Sequence, residues 1–160
     1  MTVAQRASQR TNGRVPTNIV SPEAEPYRLY ETGLGVLYEG DCLEILPLIQ
    51  TETIDAIFAD PPFNLAKDYG ANVTDELPED KYVNWCKKWL SECTRLLKPG
   101  GSFFVYNLPK WNLVLGDYLM EEGLLFRHWI AINIKFGLPI PGRLYPSHYS
   151  FRLGIDWFCG

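Results

Sequence analysis

The residues best suited to chemistry are Asp60-Pro61-Pro62-Phe63, which close the apolar run from Ile54 to Ala59. Two consecutive prolines hold φ near −65° and donate no N–H, so the chain is stiff there and its carbonyls stay available as acceptors. The Asp60 carboxylate and the Pro61 carbonyl form a pair of acceptors suited to an exocyclic amine on adenine or cytosine. Such a nitrogen is a poor nucleophile because its lone pair is delocalised into the ring. Holding both hydrogens turns it toward sp³ geometry and aims the lone pair at the methyl of a sulfonium donor. Phe63 adds a flat apolar face for stacking on a base drawn out of a duplex, an interaction worth about 1–3 kcal/mol. Taken without its surroundings, an Asp-Pro-Pro turn is more often a plain loop, so the elements around it decide.

Ile54 to Ala59 is continuous and apolar apart from Asp55, the pattern of a strand buried on both faces. A motif at the end of such a strand lies where open α/β sheets bind ligands. Upstream, Arg28–Glu31 and Val36–Glu39 flank Thr32-Gly33-Leu34-Gly35, which predicts a hairpin. Cys42–Ile49 follows as a short helix capped by Asp41. Downstream, residues 64–78 are polar and patternless and read as a loop. From Glu79 to Leu97, Tyr82, Trp85, Cys86, Trp89, Leu90, Cys93 and Leu97 recur at spacings of three and four, a helix with an aromatic core stripe. Lys98-Pro99-Gly100-Gly101 stops it. A strand at Ser102–Tyr106, a helix at Trp111–Glu121 and strands at Arg127–Phe136 and Tyr149–Phe158 complete the pattern. The alternation predicts an α/β fold, mostly parallel, with the last two strands forming an antiparallel hairpin at one edge.

Together, Gly40-Asp41-Cys42-Leu43-Glu44, Ile54-Asp55-Ala56-Ile57-Phe58-Ala59-Asp60-Pro61-Pro62-Phe63-Asn64 and Leu97-Lys98-Pro99-Gly100-Gly101 resemble the β-group of amino-group DNA methyltransferases, over about residues 35–150. The resemblance implies a partial Rossmann-like methyltransferase sheet, S-adenosyl-L-methionine as cofactor, and double-stranded DNA with a flipped target base as partner. It implies catalytic roles for Asp60, Pro61, Pro62 and Phe63, and a place near the cofactor for Asp41, Cys42 and Asp60. An Asp in the first motif position goes with adenine N6, and a Ser there with cytosine N4, so adenine is the first expectation and cytosine N4 the alternative. Asp41 also fits a bare helix cap. Asn64, Lys67, Arg143 and His148 are placed to meet DNA; Lys67 fits a solvated loop equally, and His148 a structural hydrogen bond. A nucleophilic cysteine for cytosine C5 chemistry is disfavoured, because none of Cys42, Cys86, Cys93 and Cys159 follows a proline.

The bulk properties agree. A chain of 160 residues with 46% hydrophobic content can bury one core. No apolar run approaches the roughly 20 residues of a membrane span and no export signal precedes the first element, so the cytoplasm is the expected location; a restriction-modification role is what the resemblance implies. The cysteines read as reduced, mostly buried thiols. The net charge is −4, yet Gly123–Ile155 holds Arg127, Lys135, Arg143 and Arg152 and no acid. That local balance fits either a phosphate grip or scattered surface cations.

Residues 1–26 are polar and read as a flexible tail, with 27–160 as a partial methyltransferase domain. The family's glycine-rich F-x-G-x-G cofactor turn has no counterpart in the chain; Gly33-Leu34-Gly35 lies upstream of the catalytic strand with the wrong flanks. The expectation is therefore a truncated fragment, or a half that needs a second polypeptide, and weak or no methyl transfer by the chain alone. A DNA-binding remnant of the same fold is the non-enzymatic alternative.

Overall fold

The computed structural model describes residues 19–66, 75–133 and 151–159, with side chains through residue 130. The chain divides into two compact units, Met1–Gln50 and Thr51–Gly160.

In the first unit, strands β1 (Arg28–Glu31) and β2 (Val36–Tyr38) form the expected antiparallel hairpin. Thr32 Oγ1 closes its turn by accepting the amides of Leu34 and Gly35. Helix α1 (Cys42–Ile45) starts where the Asp41 carboxylate accepts the Leu43 N–H at 2.8 Å. Pro47 then tightens the chain into a 3-10 turn at Leu46–Leu48, so the single helix expected over 42–49 is split. Residues 19–26, read as part of the tail, are also structured. Val20 bridges Ile49, the Ser21 N–H donates to the Leu48 carbonyl at 2.7 Å, and Pro22–Tyr27 is a 3-10 helix with Ala24 buried.

The second unit carries a four-stranded sheet in the order β3 (Ile54–Ala59), β4 (Leu97–Asn107), β6 (Phe151–Cys159), β5 (Leu124–Asn133). Strands β3, β4 and β5 run the same way and β6 runs against both its neighbours. Three of the four strands therefore share one direction although only β3 and β4 are paired in parallel; β5 and β6 form the antiparallel pair at one edge, with β6 inserted on the inner side of β5. Helices α2 (Glu79–Leu96) and α3 (Pro109–Glu121) connect β3 to β4 and β4 to β5.

Both helices pack on one face of the sheet. On β4, Phe103, Val105 and Asn107 are at most 2% exposed, while the alternate residues Phe104 and Tyr106 are only half-buried. The buried face of α2 is Tyr82, Cys86, Trp89, Leu90, Cys93 and Leu96; it follows the expected stripe except that Trp85 sits at its margin and Leu96 closes it, Leu97 already belonging to β4. This arrangement overturns the reading of β3 as buried on both faces. Among the described residues β3 pairs only with β4, and Phe58 is 67% exposed. An apolar run proves that a strand has apolar residues on both faces, not that both faces are covered.

Lys98-Pro99-Gly100-Gly101 does more than end a helix. It lies within β4 at a register slip between the pairs Ile54↔Leu97 and Ala56↔Ser102. Gly100 takes a left-handed φ of 79°, and Lys98 reaches across to both oxygens of Asp55 at 2.8 and 2.9 Å.

Candidate active site

The motif follows β3 at the carboxyl end of a parallel pair, and four side chains from other elements determine its shape. Asn107, the last residue of β4, is the hub. It is 1% exposed; its Oδ1 accepts the Leu108 N–H at 2.8 Å, its main-chain carbonyl accepts Asn112 Nδ2 at 3.1 Å, and its Nδ2 donates to the Tyr82 hydroxyl at 3.0 Å. Tyr82 Oη in turn donates to the Pro62 carbonyl at 2.6 Å. From α3, Trp111 Nε1 donates to the Phe63 carbonyl at 2.9 Å. Pro109 at the first turn of α3 pre-sets its backbone and places Trp111 one step inside the helix. The Tyr82 and Trp111 rings meet at a centroid distance of 4.7 Å, so the two donors support each other.

Beyond the motif, Asn64 adopts a left-handed φ of 57°. Its Oδ1 accepts the Leu77 N–H at 2.6 Å and its Nδ2 donates to the Leu77 carbonyl at 2.8 Å. Asp75, 4% exposed, accepts the Asn64 N–H at 2.6 Å and the Leu65 N–H at 3.1 Å. Bonds of this kind to a charged acceptor contribute about 1.5–3 kcal/mol each.

The two acceptors singled out by the sequence stand apart from this framework. Asp60 is exposed and Pro61 half-buried, and among the described residues neither has a hydrogen-bond partner. Pro62 and Phe63 are tied inward through their carbonyls. The Phe63 ring is 7% exposed and packs at 5.7 Å from Tyr106. The ring expected to offer a stacking face thus lies against the sheet in this structure. Asn64, expected at DNA, has both ends of its amide engaged by Leu77.

Asp41 and Cys42 lie in the first unit. The Asp41 carboxylate serves the cap of α1, and burial, with Asp41 beside it, pushes the Cys42 thiol above its ordinary value. Lys67, Arg143 and His148 lie outside the described residues. Sequence reasoning missed Asp75, Asn107 and Trp111, and took Tyr82 for core alone. A polar residue closing an apolar strand, as Asn107 closes β4, was the available signal for the hub; Asp75 gave none, being one acid in an acidic loop.

The N6/N4 methyltransferase family model, described as DNA methylase, matches residues 54–151. The chain is 54% identical over 128 residues to the type II methyltransferase M.BamHI of Bacillus amyloliquefaciens, which covers 80% of this chain and 30% of that protein. It is 35% identical over 83 residues to the DNA adenine methyltransferase YhdJ of Escherichia coli K12, covering 52% of this chain and 28% of that one. Among solved structures, the cytosine-N4-specific PvuII DNA methyltransferase superposes with a TM-score of 0.61 at 22% identity, covering 79% of this chain and 49% of that one. The chain thus spans about a third of the length of the curated relatives it matches.

Proposed function

Because the chain belongs to the N6/N4 family of DNA methylases, we propose that it is the catalytic-motif portion of an enzyme that methylates an exocyclic amine in DNA. Adenine N6 is the first assignment. It is supported by Asp60 in the first motif position and by the 35% identity to the adenine methyltransferase YhdJ. Cytosine N4, the amine named for the PvuII structure, presents the same two hydrogens to the same acceptors and is the second reading.

One observation carries the proposal: Asp60 and Pro61 have no partner among the described residues, while the next two carbonyls are tied to Tyr82 and Trp111. In this reading Asp60 and the Pro61 carbonyl receive the amine hydrogens. The Asp60 carboxylate stabilises the positive charge that grows on nitrogen as the methyl arrives. Pro62 and Phe63 keep those acceptors in place.

S-adenosylmethionine, when bound, supplies an electrophilic methyl. The residues present fit only one side of it. Asp60 offers an acceptor at the strand end, and Asp41 and Cys42 are the further proposed neighbours, but the sequence holds no F-x-G-x-G turn for the methionine moiety. A second polypeptide segment, corresponding to the length of the relatives not spanned here, is therefore part of the proposal. Lys67, Arg143 and His148 are the proposed DNA contacts, and the cytoplasm the proposed location.

The test complements the 160-residue chain with the part of the M.BamHI relative that it does not match, then analyses nucleosides from treated DNA. Methylated adenine or cytosine identifies the base. Asp60→Ala should lower transfer on the order of 10²–10³-fold, the usual cost of removing a transition-state charge partner, while DNA affinity is retained. Equal transfer by the variant would sink the role of Asp60. DNA binding without transfer by the unsubstituted pair would leave the non-catalytic alternative.

A further inference from the structure

We propose that Asp75 and Asn64 are positioning residues of the methyl-transfer site, forming a clasp that fixes the outgoing end of the Asp60–Phe63 turn. The proposal rests on the methyltransferase reading and extends it to residues the motif does not contain.

The clasp joins residues 64–66 to residues 75–77. Asp75 accepts the amides of Asn64 and Leu65 with its carboxylate, and its main-chain carbonyl accepts the Ala66 N–H at 2.6 Å. Asn64 pairs with the Leu77 backbone in both directions. Two residues in this short stretch, Asn64 and Ala66, hold left-handed φ values of 57° and 55°. Asn tolerates that region, but Ala enters it only under constraint, and strained backbone of this kind persists when its surroundings over-determine it.

Closing a loop by itself requires neither a buried carboxylate nor a left-handed alanine. Here the carboxylate is matched to its task. Ionised, it accepts only, and two converging amide N–H groups meet it. An asparagine in its place would turn one acceptor into an NH2 facing an N–H. The clasp begins at the residue directly after Phe63, so the turn is fixed at successive points: the Pro62 carbonyl by Tyr82, the Phe63 carbonyl by Trp111, the Asn64 backbone and side chain by Asp75 and Leu77. Asp60 and the Pro61 carbonyl are then held from one side by strand β3 and from the other by this series of anchors. Attack geometry is sensitive to small displacements, and a misplacement of about 1 Å can cost roughly 100-fold in rate.

The experiment uses the complemented enzyme described above, with Asp75→Asn and Asn64→Gly. The glycine variant keeps the left-handed backbone accessible and removes only the side-chain pairing, so it remains informative if Asp75→Asn folds poorly. Two quantities are read: amide exchange at Asn64, Leu65 and Leu77, and steady-state methyl transfer. The expected result is faster exchange at those amides with kcat lowered roughly 10–100-fold, and KM for cofactor and DNA within about twofold. Asp75→Glu, which keeps the charge, should recover part of the rate. Unchanged exchange overturns the clasp. Faster exchange with undiminished kcat overturns its positioning role. Absence of transfer by the unsubstituted pair overturns the methyltransferase reading and this role with it, and is recognised from that control alone.

Discussion

At the scale of single residues, the candidate site divides into groups with partners and groups without them. Asn107 and Tyr82 belong to the first kind, and their interdependence is measurable. Tyr82→Phe removes the donor to Pro62 and leaves the buried Asn107 Nδ2 without its acceptor. A cost of about 1–3 kcal/mol is expected, since an unsatisfied buried polar group loses its full desolvation penalty; chemical denaturation at neutral pH measures it. The same hydroxyl produces a pH dependence. Burial, the largest influence, pushes the Tyr82 phenol above its ordinary 10.0. The folded protein therefore keeps a proton that the unfolded chain releases above that value. Stability due to this group is intact below pH 10 and lost as pH rises further, at up to about 1.4 kcal/mol per pH unit. The wild-type denaturation midpoint should fall more steeply than that of Tyr82→Phe above roughly pH 10; parallel curves would show that Tyr82 ionises alike in both states. Tyr82 was legible in the sequence as a core residue because its ring obeys the helical stripe. Its hydroxyl was not legible as a motif anchor, because the partner, Pro62, is brought near only by the strand-helix-strand path.

At the scale of elements, the sequence pattern located the described α-helices and strands but missed the 3-10 helix Pro22–Tyr27, which it read as tail, and the other discrepancies have physical causes. Pro109 and Pro47 moved boundaries because proline sets φ and removes a donor, which opens one helix early and splits another. Phe58 was misplaced because periodicity reports which residues alternate and not what lies opposite them. The turn Lys98-Pro99-Gly100-Gly101 was recognised as a helix stop, yet its second duty, at the register slip with β3, follows from pairing that the sequence does not display. That duty makes Gly101 the more sensitive of the two glycines. A Cβ there would sit 2.9 Å from the Lys98 carbonyl and 3.1 Å from the Asp55 carbonyl, both backbone atoms. At Gly100 a Cβ meets nothing, and only the left-handed φ of 79° opposes a substitution. Gly101→Ala should therefore destabilise the second unit by about 1–3 kcal/mol, the range for overpacking. Gly100→Ala should cost on the order of 1–2 kcal/mol, the left-handed penalty, without disturbing the β3–β4 pairing. Thermal unfolding ranks the two, and amide exchange in β3 distinguishes them: faster exchange is expected only for Gly101→Ala. The reverse order would mean that backbone conformation, and not strand approach, governs this turn.

For the second unit as a whole, α2 and α3 cover one face of the sheet, and among that unit's described residues no element covers the other. Register places Ala56 and Phe58 of β3, Ser102, Phe104 and Tyr106 of β4, and Leu125, His128 and Ile130 of β5 on this second face. Phe58 is 67% exposed, Leu125 54% and Ile130 41%, and Phe58 stacks on Tyr106 at 6.4 Å. Exposed apolar area of this kind marks an interaction surface, and on β5 the helix-bearing face also leaves Phe126 44% and Trp129 40% exposed. The relatives are about three times longer than the part matched here, and an amino-group methylase needs a cofactor-binding turn this sequence does not hold. Under the proposed function, the occupant that meets both facts is the polypeptide supplying that turn. The isolated chain should then bind a hydrophobic dye or self-associate, and adding the complementing part of the M.BamHI relative should abolish the signal. Phe58→Ser separates this from a stability defect: at a position so exposed, the change should alter folding stability by less than about 0.5 kcal/mol. It should weaken complementation, read as a higher concentration of partner needed for methyl transfer. If Phe58→Ser leaves complementation unchanged, the uncovered face is not where the second polypeptide packs. The partner would then have to engage the unit elsewhere, with the edge of β3 that is unpaired among the described residues the next surface to probe by proline substitution at Ala56.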